Sequence, residues 1–202
     1  MSVVLVTGAN GFVGRHLCKF LESRGYTVRR AIRARDRASP GFDGGTVSVG
    51  DIGSKTEWRD ALEGVDSVVH LAARVHILDD RSTDPLAAFR EVNTLGTARL
   101  AQQAADAGVR RFVFVSSIKA GVGATGQEPA YESDAARPDD AYGQSKLEAE
   151  QELFRVSATS SLEPVVIRPP LVYGPGVGAN FLRMLRIVKK GIPLPFRGIR
   201  NQ

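Results

Sequence analysis

The sequence predicts an α/β protein built on a doubly wound parallel sheet. Short runs rich in Val and Ile alternate along the chain with longer stretches of helical periodicity, an alternation typical of parallel sheets. A glycine-rich turn joins the first run to the first helical stretch. With 202 residues, 43% of them hydrophobic, the chain is long enough to bury a core of this kind.

Six runs are predicted to form strands because each is short, rich in β-branched residues and bounded by turn residues. These runs are 3–8, 26–33, 45–52, 66–73, 110–117 and 162–170. Helices are predicted between them from periodic apolar positions and from Gly or Pro near their ends. The predicted helices cover 12–25, 54–63, 85–107, 142–158 and 180–190.

Charge, hydropathy and cysteine content argue against several classes of protein. The net charge is +5, but the arginines are spread over the chain, so no nucleic-acid partner is predicted. No stretch approaches the ~18 apolar residues of a membrane span and no signal peptide is recognised, so a cytoplasmic protein without a membrane partner is expected. Cys18 is the single cysteine, and His16, His70 and His76 lack metal-ligand spacing, so no metal site is predicted.

The glycine turn lies between the first strand and the first helix, with the spacing G-x-x-G-x-x-G. Glycines here permit a tight turn and let the backbone approach a pyrophosphate, while the helix N-terminus offers N–H groups and a partial positive charge. The turn therefore predicts a dinucleotide site. The predicted contact residues are Gly8, Asn10, Gly11, Phe12, Val13 and Gly14.

The end of the second strand bears on which dinucleotide is bound. NAD sites usually offer an acidic residue there, whereas the 2′-phosphate of NADP requires an arginine. In this chain Arg33 and Arg35 come before the first acid, Asp36. This order favours NADP(H), and NAD(H), with both arginines merely solvated at the surface, is the alternative.

The segment "AYGQSKLEAE" (141–150) places Tyr142 and Lys146 four residues apart, on one face of the predicted helix. Together with the glycine turn, "HLAA" (70–73), "VFVSS" (113–117) and "RPPLVYGPG" (168–176), this pair resembles the extended branch of the short-chain dehydrogenase/reductase superfamily. The resemblance implies a Rossmann-type fold and an NAD(P)-dependent enzyme. The branch comprises nucleotide-sugar epimerases, dehydratases and reductases.

The resemblance also implies a catalytic triad. Tyr142 would exchange a proton with the substrate, and Lys146 would hold the nicotinamide ribose and lower the pKa of Tyr142. Ser117 would bond the same substrate oxygen, and Ser116, on the opposite face of the strand, is the competing candidate. Further cofactor contacts are implied at Asp51, Ile52, Leu71, Ala72, Ala73, Ser116, Pro169, Leu171 and Val172.

Substrate contacts are implied at Ser117, Tyr142, Lys119, Asn180 and Phe181. Lys119 belongs to an "SSIK" run similar to that of a bacterial subgroup acting on UDP-N-acetylhexosamines and their 4-keto-6-deoxy derivatives in polysaccharide synthesis. Because family members continue past this point, we divide the chain into two parts. Residues 1–170 form the NAD(P)-binding domain with the Ser/Tyr/Lys site, and 171–202 begin an incomplete substrate-binding region.

The leading functional interpretation is NADP(H)-dependent reduction of a 4-keto, 6-deoxy UDP-hexosamine-type sugar. The alternative is a UDP-hexose or UDP-N-acetylhexosamine 4-epimerase, which uses the same triad and keeps its NAD bound. A non-catalytic NADP-binding module and a small-ketone reductase are minor alternatives. A homodimer through the helices at 85–107 and 142–158 is the expected assembly for a member of this family.

Overall fold

The computed structural model describes residues 2–33, 45–75, 82–123 and 131–191, apart from the side chains of Ala179 and Asn180. The strands are β1 (Val3–Thr7), β2 (Thr27–Ile32), β3 (Thr46–Ser48), β4 (Ser67–His70), β5 (Arg111–Val115) and β6 (Glu163–Ile167). The α-helices are α1 (Phe12–Ser23), α2 (Arg59–Leu62), α3 (Pro85–Phe89), α4 (Gly96–Asp106), α5 (Ala141–Ser157) and α6 (Ala179–Lys189). None of these helices has both the length and the apolar character needed to cross a bilayer.

The six strands form one parallel sheet in the order β3-β2-β1-β4-β5-β6. This order confirms the predicted doubly wound, Rossmann-type fold. The order reverses between β1 and β4, and in such sheets ligands bind in the crevice beyond the carboxyl ends of the strands at the reversal. The predicted site residues lie in the loops that follow the strands at this edge, called the carboxyl edge below, or in the first two turns of α1, α5 and α6.

Both faces of the sheet are covered by helices, because side chains along each strand alternate between the faces. On β1, Leu5 joins a large apolar cluster formed with α2, α4 and α5. Its neighbours Val4 and Val6 join a smaller cluster on the opposite face, which includes Cys18 of α1. The two apolar clusters hold β1 between the helices on either face of the sheet. The loop that follows the strand at the carboxyl edge is positioned in this way.

Two predicted elements are much shorter than expected. The helix predicted at 54–63 is reduced to α2, because Thr56 uses its hydroxyl to bond the Asp51 carbonyl and the Gly53 N–H. Such local side-chain bonds compete with helical ones. The strand predicted at 45–52 is likewise only β3, and other strands stop a few residues before their predicted ends. Those residues are loops of the carboxyl edge.

The helix predicted at 85–107 is continuous but contains a wide turn. Between α3 and α4 the residues Arg90–Leu95 form a π-helical segment. Within it Asn93 donates to Ser145 Oγ on α5 at 3.0 Å, and Thr94 donates to the Ser145 carbonyl at 2.9 Å. The wide turn presents these two consecutive buried residues to α5, as π segments near functional sites often do.

Candidate active site

The glycine turn is shaped by close backbone contacts. Gly8 has φ +64°, and a Cβ on it would lie 2.9 Å from the Ala72 backbone nitrogen. A Cβ on Gly14 would overlap the Gly8 carbonyl oxygen and lie 2.7 Å from the Ala9 Cα. Gly11 caps α1 without a side-chain bond, so the first N–H groups of the helix remain available to an anion. A pyrophosphate group fits this cradle, which larger residues would fill.

Beside the turn, the end of β2 carries Arg33, whose side chain is exposed. The second predicted arginine, Arg35, lies outside the described residues. The described part of the chain therefore places one of the two predicted arginines at the carboxyl edge, next to the crevice.

A buried chain of hydrogen bonds runs under the site through His70. Thr97 Oγ1 donates to the Asn93 carbonyl at 2.5 Å, so it can only accept from His70 Nε2, 3.1 Å away. Burial lowers the pKa of His70 to about 3, with a further lowering from the charge of Lys146, so the ring is neutral and Nδ1 carries no proton. Thr7 Oγ1, 2.7 Å from Nδ1, must therefore donate to it. His70 is thus the Nε2–H tautomer.

This chain of bonds holds the loop after β4. Thr7 Oγ1 accepts from the N–H groups of both Leu71 and Ala72 at 3.1 Å. Farther along the loop, the side chain of Asn93 forms two hydrogen bonds with the backbone of Arg74. It accepts from the Arg74 N–H at 2.8 Å and donates to the Arg74 carbonyl at 3.0 Å. The predicted cofactor residues Leu71 and Ala72 are therefore fixed against the glycine turn.

The remaining predicted cofactor residues in this region lie near the same edge. Ala73 is half-buried between the two fixed ends of the β4 loop. Asp51 is exposed and Ile52 half-buried, both shortly after β3. Ile52 packs against the start of α4, where a Cβ on Gly96 would come within 2.7 Å of its Cγ2. Contact of Asp51, Ile52 and Ala73 with a cofactor stays a prediction.

The two serines after β5 face different surroundings, as strand alternation predicts. Ser116 is buried and its hydroxyl donates to the Glu150 carboxylate, so its side chain is unavailable to a cofactor. Ser117 is half-buried, caps the short 3₁₀ turn Ile118–Ala120 and hydrogen-bonds the Tyr142 hydroxyl. The geometry favours Ser117 over Ser116 as the partner of Tyr142.

Glu150 is a buried carboxylate that joins three elements. Besides Ser116, it accepts from Arg168 through Nε at 3.0 Å and Nη2 at 2.5 Å. Glu150 is on α5, Ser116 follows β5 and Arg168 follows β6. Backbone bonds from Ser116 to Ile167 and from Ile118 to the Pro169 carbonyl complete the join. This arrangement fixes residues 116–120, called the serine turn below, relative to Pro169, another predicted cofactor contact.

Tyr142 lies in the first turn of α5. Asp140 caps this helix, accepting from the Gly143 N–H at 2.6 Å. A Cβ on Gly143 would overlap the Lys119 carbonyl oxygen, so only glycine lets α5 approach the serine turn this closely. The Tyr142 ring meets Phe89 edge-on, with 6.0 Å between the ring centroids.

The pKa of Tyr142 is raised above its ordinary value, first by burial and then by the charge of Asp140. The hydrogen bond with Ser117 and the charge of Lys119 act in the opposite direction. The sequence predicts instead that Lys146 lowers this pKa. That expectation is not met, because Lys146 is not among the groups that shift the pKa of Tyr142. Its Nζ bonds the Val115 carbonyl instead.

Lys146 is fully buried one turn beyond Tyr142. Its Nζ donates to the Val115 carbonyl at 2.9 Å and lies 4.0 Å from the centroid of the Phe114 ring. Burial lowers the pKa of Lys146 to about 7, although the carboxylate of Glu150 raises it in part. Near neutral pH this amine is therefore divided between its charged and neutral forms.

Replacing Lys146 with Met should change how stability depends on pH. The pKa of Lys146 is about 7 in the folded chain, against 10.5 for a lysine in water. Between these values the unfolded chain binds a proton that the folded chain does not, so folding gains stability as the pH rises. Relative to the variant, the wild type should gain up to about 1.4 kcal/mol per pH unit, measured by urea unfolding at successive pH values.

The exposed Lys19 on α1 offers a matched control, because Lys19→Met removes an amine that is already in water. The difference in the free energy of unfolding between Lys19→Met and the wild type measures the effect of a Lys-to-Met exchange at an exposed position. Parallel pH curves for the wild type and Lys146→Met would contradict the assignment of a depressed lysine pKa.

The predicted substrate side is less enclosed. Lys119 forms an ion pair with Asp140 at 2.5 Å, on the rim beside Tyr142. Leu171 and Val172 are exposed, and Phe181 of α6 stacks on Tyr173 with 5.3 Å between ring centroids. The side chain of Asn180 lies outside the described part of the structure. The carboxyl edge thus carries the glycine turn, Ser117, Tyr142 and Lys119, while substrate contacts at Asn180 and Phe181 stay a prediction.

Several residues that organise the site are absent from the sequence prediction. They include Thr7, His70, Gly143 and Glu150, none of which has a recognisable signal beyond its position in a motif. His70 is predicted from the sequence only as a surface or core histidine. Its place directly before "LAA" at the end of a strand is the one feature that could have indicated a role in holding the loop.

Comparisons with known proteins agree with this geometry. A UDP-glucose 4-epimerase of Vibrio cholerae is 48% identical over 198 residues, covering 97% of this chain and 60% of the relative. Cinnamoyl-CoA reductase 1 of Petunia hybrida is 33% identical over 205 residues, covering 91% of this chain and 60% of the relative. The chain thus spans 60% of the length of both curated relatives.

Solved structures agree as well. The structure of MoeE5 in complex with UDP-glucose and NAD is 31% identical and superposes with a TM-score of 0.79, covering 96% of this chain and 63% of that one. Residues 4–198 match the family model described as "NAD dependent epimerase/dehydratase family". The predicted resemblance is confirmed, and the chain belongs to the NAD-dependent epimerase/dehydratase family.

Proposed function

We propose that this chain is the cofactor-binding and catalytic part of a UDP-hexose 4-epimerase that keeps NAD(H) bound during turnover. The sequence alone favours reduction of a 4-keto sugar nucleotide. The observation that carries the epimerase instead is 48% identity over 198 residues to a UDP-glucose 4-epimerase. The structural relative MoeE5, 31% identical, is described in complex with UDP-glucose and NAD, which supports the same class of substrate and cofactor.

In this proposal residues 1–170 hold the dinucleotide and 171–202 begin the substrate-binding region. The cradle of Gly8, Gly11 and Gly14 receives the pyrophosphate at the start of α1. Lys146 binds the nicotinamide ribose, from the interior side of α5. The other proposed cofactor contacts are Asn10, Phe12, Val13, Asp51, Ile52, Leu71, Ala72, Ala73, the Ser116 backbone, Pro169, Leu171 and Val172.

The proposed chemistry is oxidation of the C4 alcohol followed by reduction of the resulting ketone from the opposite face. A bound NAD would supply the hydride acceptor for the oxidation and the hydride donor for the reduction. Tyr142 accepts the hydroxyl proton as the C4 hydrogen leaves and gives it back as the hydrogen returns. Ser117 donates a hydrogen bond to the same oxygen. Its bond to Tyr142 and the charge of Lys119 favour ionisation of the phenol, against the effect of burial.

The test is proton NMR of UDP-galactose and UDP-N-acetylgalactosamine incubated with this chain and NAD. Growth of the anomeric signals of the 4-epimers would support the proposal, and the faster substrate would identify the hexose class. Failure to form either epimer, with oxidation of NADPH by a 4-keto-6-deoxy sugar nucleotide, would replace the proposal with the reductase. Dinucleotide binding with no turnover of any of these sugars would favour a non-catalytic module.

One observation favours the reductase as a second candidate. Arg33 directly follows β2 at the carboxyl edge, where a 2′-phosphate would lie. If Arg33 binds that phosphate, Arg33→Ala should weaken the binding of NADPH about tenfold or more and leave the binding of NADH nearly unchanged. Parallel fluorescence titrations with NADPH and NADH measure both effects. Equal changes for the two dinucleotides, or tighter binding of NADH by the wild type, would remove this support.

The substrate contacts and the assembly are also proposals. We propose that Lys119, Asn180 and Phe181 contact the sugar nucleotide. Leu95 on the π segment and Phe154 on α5 are about half exposed, which supports a homodimer through these helices. Sedimentation velocity that detects only monomer at micromolar concentration would contradict the dimer.

A further inference from the structure

We propose that His16 is a positioning residue that retains the dinucleotide by fastening residues 171–178 to the start of α1. This inference rests on the proposed function, because a 4-epimerase must hold its dinucleotide between two hydride transfers. The sequence indicates of His16 only that it lacks metal-ligand spacing with the other histidines. Its partners in the structure point to a more specific role.

His16 bonds a segment that is distant in sequence. Its Nε2 lies 3.0 Å from the Pro175 carbonyl oxygen, 159 residues away along the chain. A carbonyl oxygen only accepts, so His16 must present Nε2–H toward it. The ring also meets Phe12 edge-on at 5.7 Å between centroids, and Phe12 begins α1 directly after the glycine cradle.

The Pro175 carbonyl is placed for this bond by a tight turn. Val177 N–H donates to the Gly174 carbonyl at 3.0 Å, closing a four-residue turn with Pro175 and Gly176 in its centre. Proline at the second position and a glycine with φ +84° at the third are the features of a type II turn. The carbonyl of Pro175 lies in the central peptide and takes no part in the turn's own bond. It is therefore available to His16.

The turn also lies against the cradle. A Cβ on Gly174 would come within 3.9 Å of Phe12 Cζ. The same segment contains Leu171 and Val172, two of the proposed cofactor contacts, both of them exposed. Residues 171–178 thus connect the two ends of the proposed dinucleotide site, and His16 is the side chain on α1 that bonds them. Loosening this bond would let the segment move away from the cradle.

The test measures release of NADH from the loaded chain by fluorescence after addition of excess NAD. His16→Phe keeps the aromatic contact with Phe12 and removes the N–H donor. We expect its release rate to rise about five- to tenfold, the effect of one net hydrogen bond. His16→Gln places an amide N–H at similar reach and should release NADH within about twofold of the wild type.

A second variant reaches the same segment without touching His16. Gly176→Ala strains the turn through its positive φ, although an added Cβ there would contact nothing within 4 Å. If both changes act through the segment, the double variant should release NADH no faster than the more rapid single variant. Release from His16→Phe at the wild-type rate, or from His16→Gln as rapidly as from His16→Phe, would overturn the proposal.

The outcomes separate this inference from the proposed function. A wild type that retains NADH in the manner described but epimerises no sugar would overturn the epimerase and leave the role of His16 intact. A wild type that epimerises sugars but releases NADH as rapidly as His16→Phe would overturn the role of His16 alone.

Discussion

Replacing Tyr142 with Phe is expected to reduce epimerisation by about 10³-fold or more, while NAD still binds within about twofold of the wild type. The change removes one oxygen and keeps the ring that packs edge-on against Phe89. General acid–base catalysis by a positioned side chain contributes typically 10²–10⁴-fold, and the variant keeps no hydroxyl at this position to exchange the proton. The measurement is the initial rate of UDP-galactose conversion, together with NADH binding by fluorescence.

The matched control is Tyr131→Phe, which removes the same atom from a side chain that is 67% exposed. This variant should keep its activity. If Tyr142→Phe retains more than a tenth of the wild-type rate, the proton is transferred by another group and the proposed triad is incorrect. Loss of NADH binding in the same variant would instead show that Tyr142 supports the cofactor site.

Replacing Gly14 with Ala is expected to abolish dinucleotide binding and to destabilise the chain. The new methyl group would overlap the Gly8 carbonyl oxygen and crowd Ala9, both backbone atoms. Gly8 cannot move aside freely, since its own position is confined by the backbone of Ala72. Overpacking of this kind costs typically 1–3 kcal/mol, so thermal unfolding should shift downward by roughly 5–10 °C. NADH affinity should fall at least 100-fold because the cradle changes shape.

Gly108→Ala provides the control for glycine replacement itself. Gly108 has φ +78° and an added Cβ would meet nothing within 4 Å, so only backbone strain of about 1 kcal/mol is expected. NADH binding should be unchanged in this control. A Gly14→Ala variant that binds NADH like the wild type would contradict the close packing of the glycine turn.

Local patterns predict most of the architecture because the parallel strands are short and apolar on both faces. All six strands occur where β-branched runs predict them. The shortening of α2 could be predicted only in part, because the local bonds of Thr56 are joined by a bond from the backbone N–H of Trp58 to the side chain of Gln103, 45 residues away. The π segment bonds Ser145 of α5, 51 and 52 residues away. Both features thus include tertiary contacts that a local pattern does not contain.

The candidate site follows the same division. The glycine turn and the Tyr142–Lys146 pair are local in sequence, and they occur at the junction of β1 with α1 and at the start of α5, close to where the sequence predicts those elements. The pKa of Lys146 is not, because it depends on burial beneath Phe114 and on the Val115 carbonyl. The cluster around Glu150 joins residues from three separate segments, so no single stretch of sequence indicates it.

The tautomer of His70 has a consequence for the path of protons in this molecule. Histidine is the side chain most often used to transfer protons near neutral pH. Here Nδ1 accepts from Thr7, Nε2–H donates to Thr97, and the ring stays neutral because its pKa is about 3. Releasing or gaining a proton would break bonds that also hold the loop after β4. His70 is therefore a fixed structural dipole, which under the proposed function leaves proton exchange with a substrate to Tyr142.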